Sequence, residues 1–500
     1  MENFLEHVTH INDVINSAVW GWPALILLAF VGVLMTCMTK FFQLTHFSYW
    51  MKHTIGAIFG DKHVTAHTDD KTISQFQSLC TALAATVGTG NIVGVATAIA
   101  TGGPGAVFWM WLIAFFGMMT NYSENVLGIL YRRRNENGEW SGGAMYYLRD
   151  GLGRKKGCKA IGAILAVLFS CFCLLASFGI GNMSQVNSIT VNVNNAFNIP
   201  KVAIGAFLVV AVGLVTIGGI KRIAAITEKL VPFMVIIYLI GALFIIITHA
   251  GTIPAVFVSI FRGAFHLKSA AGGFVGSGVA LAMKMGMKRG VFSNEAGLGS
   301  SVMVHSSSNV KEPVRQGMWG IFEVFADTII VCTLTAFTIL SSGAFDLSTG
   351  ALAGHAADIE ASNLMSYSFE VAFGPIGSKF IAIAILLFAY STVLGWSHYG
   401  TKAFEYLFGT KTIIIYRVIF VAMVMFGALV NAQLAWDISD TFNGLMMLPN
   451  LIGVIVLSPQ VMECTRNYVA RKMKGDTSVV PMLSLFEDIE EEQLMRPDED

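Results

Sequence analysis

The sequence predicts an all-α polytopic membrane protein of about eleven transmembrane helices. One extra N-terminal helix precedes a five-plus-five inverted repeat containing two discontinuous helices. Three observations lead there. The 500 residues are 54% hydrophobic and only 13% charged, against about a quarter charged in ordinary globular chains, and mean hydropathy is +0.64. Apolar runs of roughly 20 residues recur from Val19 to Pro459, without the alternation of a barrel strand. Two of these runs are interrupted by polar residues and glycine, at "VGTGN" (87–91) and "RGVFSNEAGLGSS" (289–301).

In hydrocarbon every backbone N–H and C=O needs an internal partner, so continuous apolar runs are read as helices. Taken in order, the spans are 22–38, 76–100, 106–131, 160–189, 202–219, 231–248, 270–306, 317–341, 380–407, 413–432 and 442–461. Residues 1–75 carry the first helix and its following loop. Residues 76–250 form the first five-helix repeat, 251–462 the second, and 463–500 a C-terminal tail.

Lys and Arg gather in alternate loops: "YRRRNENGEW" and "RDGLGRKKGCK", "KRIAAITEK", "KEPVR" and "TRNYVARKMK". Cytoplasmic loops are enriched in these residues, which puts the C-terminus inside and, with an odd number of spans, the N-terminus outside. The N-terminal stretch lacks a basic n-region and a short h-region with a cleavage site, and is read as mature sequence. The acidic end "FEDIEEEQLMRPDED" is read as a flexible tail. Lys284, Lys288 and Arg289 fall inside the seventh span; either they line a water-filled vestibule or that segment is not one simple span.

Composition sets several functions aside. A formal net charge of zero suggests no nucleic-acid partner. The seven cysteines show no CxxC pair and are read as small packing residues. The eleven histidines are scattered, with no HExxH and no His pair backed by carboxylates in one span, which argues against an enzyme. A channel would show a filter or a ring of charge, and neither is visible. The pattern specifies no oligomeric state.

The breaks have a physical use. Gly costs about 1 kcal/mol against Ala in a helix interior, so Gly88, Gly90 and Asn91 argue for a helix that is meant to open. An opened helix exposes N–H groups on one half and C=O groups on the other. The N–H end suits a carboxylate, and the C=O end suits a hard cation. Two such breaks, each in the first span of a five-span unit, mark a midplane site in a secondary transporter. Close helix packing is the other common use of glycine in membranes.

Three stretches, "LAATVGTGNIVGVATAIATGGPGAVFWMW", "RGVFSNEAGLGS" and "FAYSTVLGWSHYG", resemble the alanine or glycine:cation symporter family of bacteria and archaea. The likeness extends over almost the whole span region; one departure is Ala144, where Pro is expected. The resemblance implies a leucine-transporter-like fold. It also implies Na⁺-coupled symport of a small neutral amino acid, alanine or glycine, into the cell across a bacterial or archaeal plasma membrane. A proton-coupled or glutamine- or serine-selective symporter of the same fold is the alternative. No cofactor is implied beyond Na⁺ as coupling ion; the partners are the amino acid, Na⁺ and the lipid bilayer.

Carried over residue by residue, the resemblance implies that Thr89, Gly90 and Asn91 face the substrate carboxylate. It further implies a sodium ion held by the carbonyls of Ala84, Val87 and Phe388 with the hydroxyls of Ser391 and Thr392. Trp396, one turn beyond Thr392, then walls the pocket. In the fourth span Asn182 and Gln185 lie at i and i+3, and both amides are read as facing the pocket, Gln185 most of all. Asn294 is read as accepting from the substrate ammonium. Glu295 either sits ionised near that ammonium or serves as a cap or structural partner, the latter being favoured. Glu124, Glu323 and Asp327 are read as buried structural partners, with proton or ion relay as their other role.

Overall fold

A computed structural model describes residues 2–66, 71–265, 277–430 and 433–495 of the chain. The start of the predicted seventh span, 270–276, lies outside the described residues.

Helix α1 (Glu2–Val19) precedes α2 (Trp22–Met38), whose Pro23 sits in the first turn, where its missing N–H costs nothing. Short helical turns follow between residues 42 and 65. The second span is two pieces, α3 (Gln75–Thr86) and Gly90–Gly102, bent by 49°; the second piece ends in α4 (Val95–Gly102). A capping box between Ser74 and Gln77 fixes its start. Next come α5 (Gly105–Leu130), α6 (Lys159–Phe178), α7 (Ser184–Phe197), α8 (Lys201–Thr216) and α9 (Gly219–Thr248). A separate helix, α10 (Ile253–Phe265), then precedes α11 (Ser277–Asn294) and the four-residue α12 (Val302–His305). After these come α13 (Pro313–Val324), α14 (Thr333–Ser341), α15 (Leu364–Phe373), α16 (Pro375–Phe408), α17 (Ile413–Leu429), α18 (Gln433–Tyr468) and, in the tail, α19 (Glu487–Leu494).

Among the described residues, eight helices are long and apolar enough to cross a membrane, nine when the bent pair counts as one broken span. Two of the expected spans fall outside that number for identifiable reasons. The helix α8 has only 16 residues, and α11 carries Lys284, Lys288 and Arg289. Two of these cations have partners. The Lys288 ammonium pairs with Asp440 at 2.8 Å and lies over the Trp20 ring, and the Arg289 guanidinium lies 5.6 Å from the Phe292 ring.

The packing expresses the predicted repeat. Each of three helices in the first half lies against its counterpart in the second: α5 against α13, α7 against α16, and α8 against α17. The start of the first broken segment also meets the end of the second. Ile73, just before α3, accepts from the Asn309 N–H at 2.8 Å and donates to the Ser307 carbonyl at 3.2 Å. Arg132, wholly buried at the end of α5, donates to the carbonyls of Ser308 at 2.7 Å and Val310 at 2.5 Å.

The tail is not a loose acidic end. Phe486 and Ile489 in the acidic stretch, and Leu483 just before it, are buried at three-residue spacing. The Leu485 N–H donates to the Leu130 carbonyl at 3.2 Å, the Arg133 guanidinium lies 4.0 Å from the Phe486 ring centre, and Arg134 pairs with Glu492 at 2.6 Å. The apolar spacing gives the tail something to bury, and the basic loop supplies the opposite charge.

Candidate functional site

At the first break α3 ends at Thr86, and Val87 leaves the helical region with φ −79° and ψ 86°. The Gly88 N–H donates to Asn91 Oδ1 at 2.9 Å, and the Asn91 N–H donates to the Gly88 carbonyl at 3.3 Å. Neither returns to the carbonyl four residues back, so those of Ala84 and Val87 leave the helical ladder. The chain then rewinds through a wide π-helical turn, Gly90–Gly94. Gly88 is required by space: a Cβ there would stand 2.2 Å from Thr392 Oγ1.

Opposite Gly88, α16 presents Thr392; the hydroxyl of its neighbour Ser391 also lies 3.5 Å from Met234 Sδ. Their hydroxyls donate to the Phe388 carbonyl at 2.8 Å and 3.0 Å. Such bonds back to the preceding turn are common in membrane helices. They use each hydroxyl's proton and leave its oxygen lone pairs able to accept a hard cation.

At the second break the helix runs further than the sequence suggests, through Asn294. Glu295 then takes a left-handed φ of 56°, followed by Gly297 at 93° and Gly299 at 73°. For a non-glycine residue that conformation is uncommon and costs energy, so the surroundings must hold it. They do: Asn294 Oδ1 accepts from the Ala296 N–H at 3.0 Å, and Ser300 Oγ donates to the Glu295 carboxylate at 2.5 Å. The amide of Asn450 closes the turn by donating to the Gly297 carbonyl at 2.8 Å. Glu295 does not cap α12, whose N-cap position is Ser301; it is paired across the turn.

Asp327, on α13's continuation, ties the two breaks together. Its wholly buried carboxylate accepts from Asn91 Nδ2 at 2.7 Å, Ser293 Oγ at 2.8 Å and Thr328 Oγ1 at 2.8 Å. Asn91 belongs to the first break and Ser293 to the end of the helix leading into the second.

Between the breaks lies a cavity of about 10 Å³, room for about one water molecule. Thr89, Gly90, Gln185, Thr392 and Trp396 line it, as the sequence suggests, together with Glu295 and Asn443. Thr89 Oγ1 donates to Gln185 Oε1 at 3.0 Å, joining the first break to α7. Trp396 is seated on Gly181, where a Cβ would stand 2.4 Å from its own Cβ.

Two predicted ligands stand behind the wall rather than in it. Asn91 spends its amide on Gly88 and Asp327, and Asn294 donates to Thr328 Oγ1 at 3.0 Å. Asn182 also turns away, donating to the Phe420 carbonyl at 2.7 Å. The reason is local: Gly179–Met183 is a π-helical turn, so the i, i+3 spacing no longer places Asn182 and Gln185 on one face. Asn443 is the wall residue that sequence reasoning missed. Its signal is an isolated amide opening an apolar run; in the structure it is 1% exposed, with Oδ1 lacking a hydrogen-bond partner among the described residues.

The profile of the sodium:alanine symporter family matches residues 5–481. The chain is 42% identical to the sodium/alanine symporter AgcS of Methanococcus maripaludis, over 93% of this chain and 98% of that protein. It is 36% identical to a probable sodium/glutamine symporter, GlnT, of Bacillus subtilis, over 96% and 94% of the two chains. A substrate-bound, outward-open Na⁺-coupled sialic acid symporter superposes with a TM-score of 0.52 at 13% identity, covering 94% of this chain and 93% of that one. At that identity the likeness speaks for the fold alone, which is leucine-transporter-like.

Proposed function

The chain belongs to the sodium:alanine symporter family, and from that premise we propose that the paired breaks bind a small neutral amino acid beside its coupling Na⁺. It is a secondary transporter, not an enzyme. The observation that carries the reading is the freed carbonyl end at Ala84 and Val87, set against Thr392 across Gly88. An opened helix terminus there offers oxygens to a cation and N–H groups to a carboxylate within one turn.

The roles divide by chemistry. Na⁺ takes the carbonyls of Ala84, Val87 and Phe388 and the hydroxyls of Ser391 and Thr392, all uncharged oxygens suited to a hard monovalent ion. The substrate carboxylate meets the N–H groups and side chain around Thr89 and Gly90. Gln185 and Thr392 complete the polar wall and Trp396 bounds its apolar side. Asn91 and Asn294 hold the two breaks in shape. The cavity must widen to admit even alanine or glycine.

Binding and transport are linked because the ion and the zwitterion stabilise the same arrangement of the two broken segments, and that coupling is reciprocal. One bundle then rocks against the other to expose the site alternately to each side of a bacterial or archaeal plasma membrane. The tail packs against the basic loop that follows α5, which agrees with both facing the cytoplasm and the N-terminus facing out.

The test is uptake of radiolabelled alanine into liposomes holding the purified protein. Accumulation should require an inward Na⁺ gradient at equal pH, and should be competed by glycine but not by glutamine. Uptake driven by a proton gradient without Na⁺ would remove the reading.

A further inference from the structure

An amino acid enters the cavity as a zwitterion, and its ammonium brings three N–H donors into a buried site. Those donors need acceptors, because a charge taken out of water without partners is costly. Several oxygens of the wall are already engaged. Gln185 Oε1 accepts from Thr89 Oγ1 at 3.0 Å, and the Glu295 carboxylate accepts from Ser300 Oγ at 2.5 Å. Thr392 Oγ1 belongs to the proposed cation site. Asn294 stands behind the wall, its Oδ1 accepting from the Ala296 N–H.

Asn443 of α18 is different. It lines the cavity, is 1% exposed, and its Oδ1 has no hydrogen-bond partner among the described residues. A buried amide oxygen left unpaired is rare in a folded protein and asks for an explanation. Looseness of the chain does not supply it, because the same turn of α18 is firmly held. Ser439, one turn earlier on the same helix face, accepts from the Ile180 N–H at 2.6 Å. Ile180 is itself a lining residue of the cavity. Asp440 accepts from Lys288 Nζ at 2.8 Å and from Asn16 Nδ2 at 3.0 Å. Thr441 Oγ1 donates to Asn12 Oδ1 at 2.8 Å. Bonds to α1, to α11 and to the wide turn before α7 thus fix this stretch, and within it the Asn443 oxygen stays open.

We propose that Asn443 is a substrate-binding residue whose Oδ1 accepts a hydrogen bond from the ammonium of the bound amino acid. The helix α18 carries neither break, yet it joins the site through this one side chain. The two charged ends of the substrate are then recognised by separate elements, the carboxylate at Thr89 and Gly90 and the ammonium at α18.

The inference rests on the symport reading above, and the experiment separates the two. Uptake of labelled alanine into liposomes at saturating Na⁺ is measured for the wild type, Asn443→Leu, Asn443→Ala and Asn443→Asp, each shown by size-exclusion chromatography to be folded. The first two variants remove the acceptor, and either one suffices if the other does not fold. Their KM for alanine should rise about ten- to a hundredfold, the effect of losing one hydrogen bond to a charged group. The Na⁺ concentration for half-maximal uptake, read at saturating alanine, should shift far less. Asn443→Asp keeps an oxygen in the same place and has no N–H to offer, so its KM should return roughly fivefold or more toward the wild type from that of Asn443→Leu. An amide that donated to the substrate would leave Asn443→Asp at least as impaired as Asn443→Leu. That ordering, or a KM within about twofold of wild type in the apolar variants, overturns the proposal while the symport reading stands. Absence of Na⁺-dependent alanine uptake by the wild type would instead remove the premise.

Discussion

The hydroxyl of Thr392 sits against Gly88 so closely that a methyl group on the glycine would stand 2.2 Å from its oxygen. This contact joins the first break to α16 at the proposed cation site. Overpacking of a tight core costs about 1–3 kcal/mol, and here it falls on residues proposed to bind. Gly88→Ala should therefore cut alanine uptake at least tenfold at equal protein abundance. Adding Thr392→Ala should restore thermal stability, read by fluorescence-detected size exclusion, without restoring uptake.

Ser391 and Thr392 share the Phe388 carbonyl, and in the proposed cation site each would offer one oxygen to Na⁺. Losing one ligand of such a set is expected to cost about 1.4 kcal/mol, a tenfold change. Ser391→Ala and Thr392→Val should each raise the Na⁺ concentration for half-maximal uptake by about that factor. The alanine affinity at saturating Na⁺ should move less.

Gln185 accepts from Thr89 while donating to the Ile180 carbonyl at 3.1 Å, so its amide is held from both ends. A hydrogen bond to a charged group is worth about 1.5–3 kcal/mol. Gln185→Leu should weaken alanine uptake by roughly ten- to a hundredfold in KM, and Asn182→Leu should leave KM near wild type while lowering stability. Equal effects on KM from the two variants would contradict the placement of Asn182 outside the cavity.

Trp396 lines the cavity and packs against Gly181. Trp396→Leu should admit larger neutral amino acids, seen as competition of alanine uptake by glutamine or methionine. One methylene in an apolar pocket changes affinity by about 1–3 kcal/mol, so the change should be graded with side-chain length.

The docked tail gives a test in which two contributions separate. The Arg134–Glu492 pair is partly exposed, and such pairs contribute about 0–1 kcal/mol. Phe486 is 9% exposed, and truncating a buried aromatic costs about 3–5 kcal/mol. Phe486→Ala should lower the melting temperature clearly, and Glu492→Gln should barely change it.

Both breaks are legible in the sequence because Gly, Asn and Ser are poor choices inside an apolar helix, so their presence needs a reason. The gathering of Thr89, Gln185, Thr392 and Trp396 follows from the repeat and the family resemblance. Asn182 misleads because a π-helical turn shifts the register by one residue, and nothing in "FGIGNMSQ" announces that turn. The hub at Asp327 is hidden for a different reason: its partners Asn91 and Ser293 come from two separate segments, and no local spacing brings them together. The tail misleads through composition, since its acidic residues conceal Leu483, Phe486 and Ile489 spaced for one helical face.

The seating of that tail has a practical corollary. Leu485 is bonded to Leu130, and Glu492 to Arg134. The last described turn is therefore a rigid extension of α5 and its loop. A fluorophore attached near residue 495, paired with one on the loop after α9, would test whether the two ends separate during the proposed cycle. The chain's own end is a ready-made lever for watching the transporter change shape.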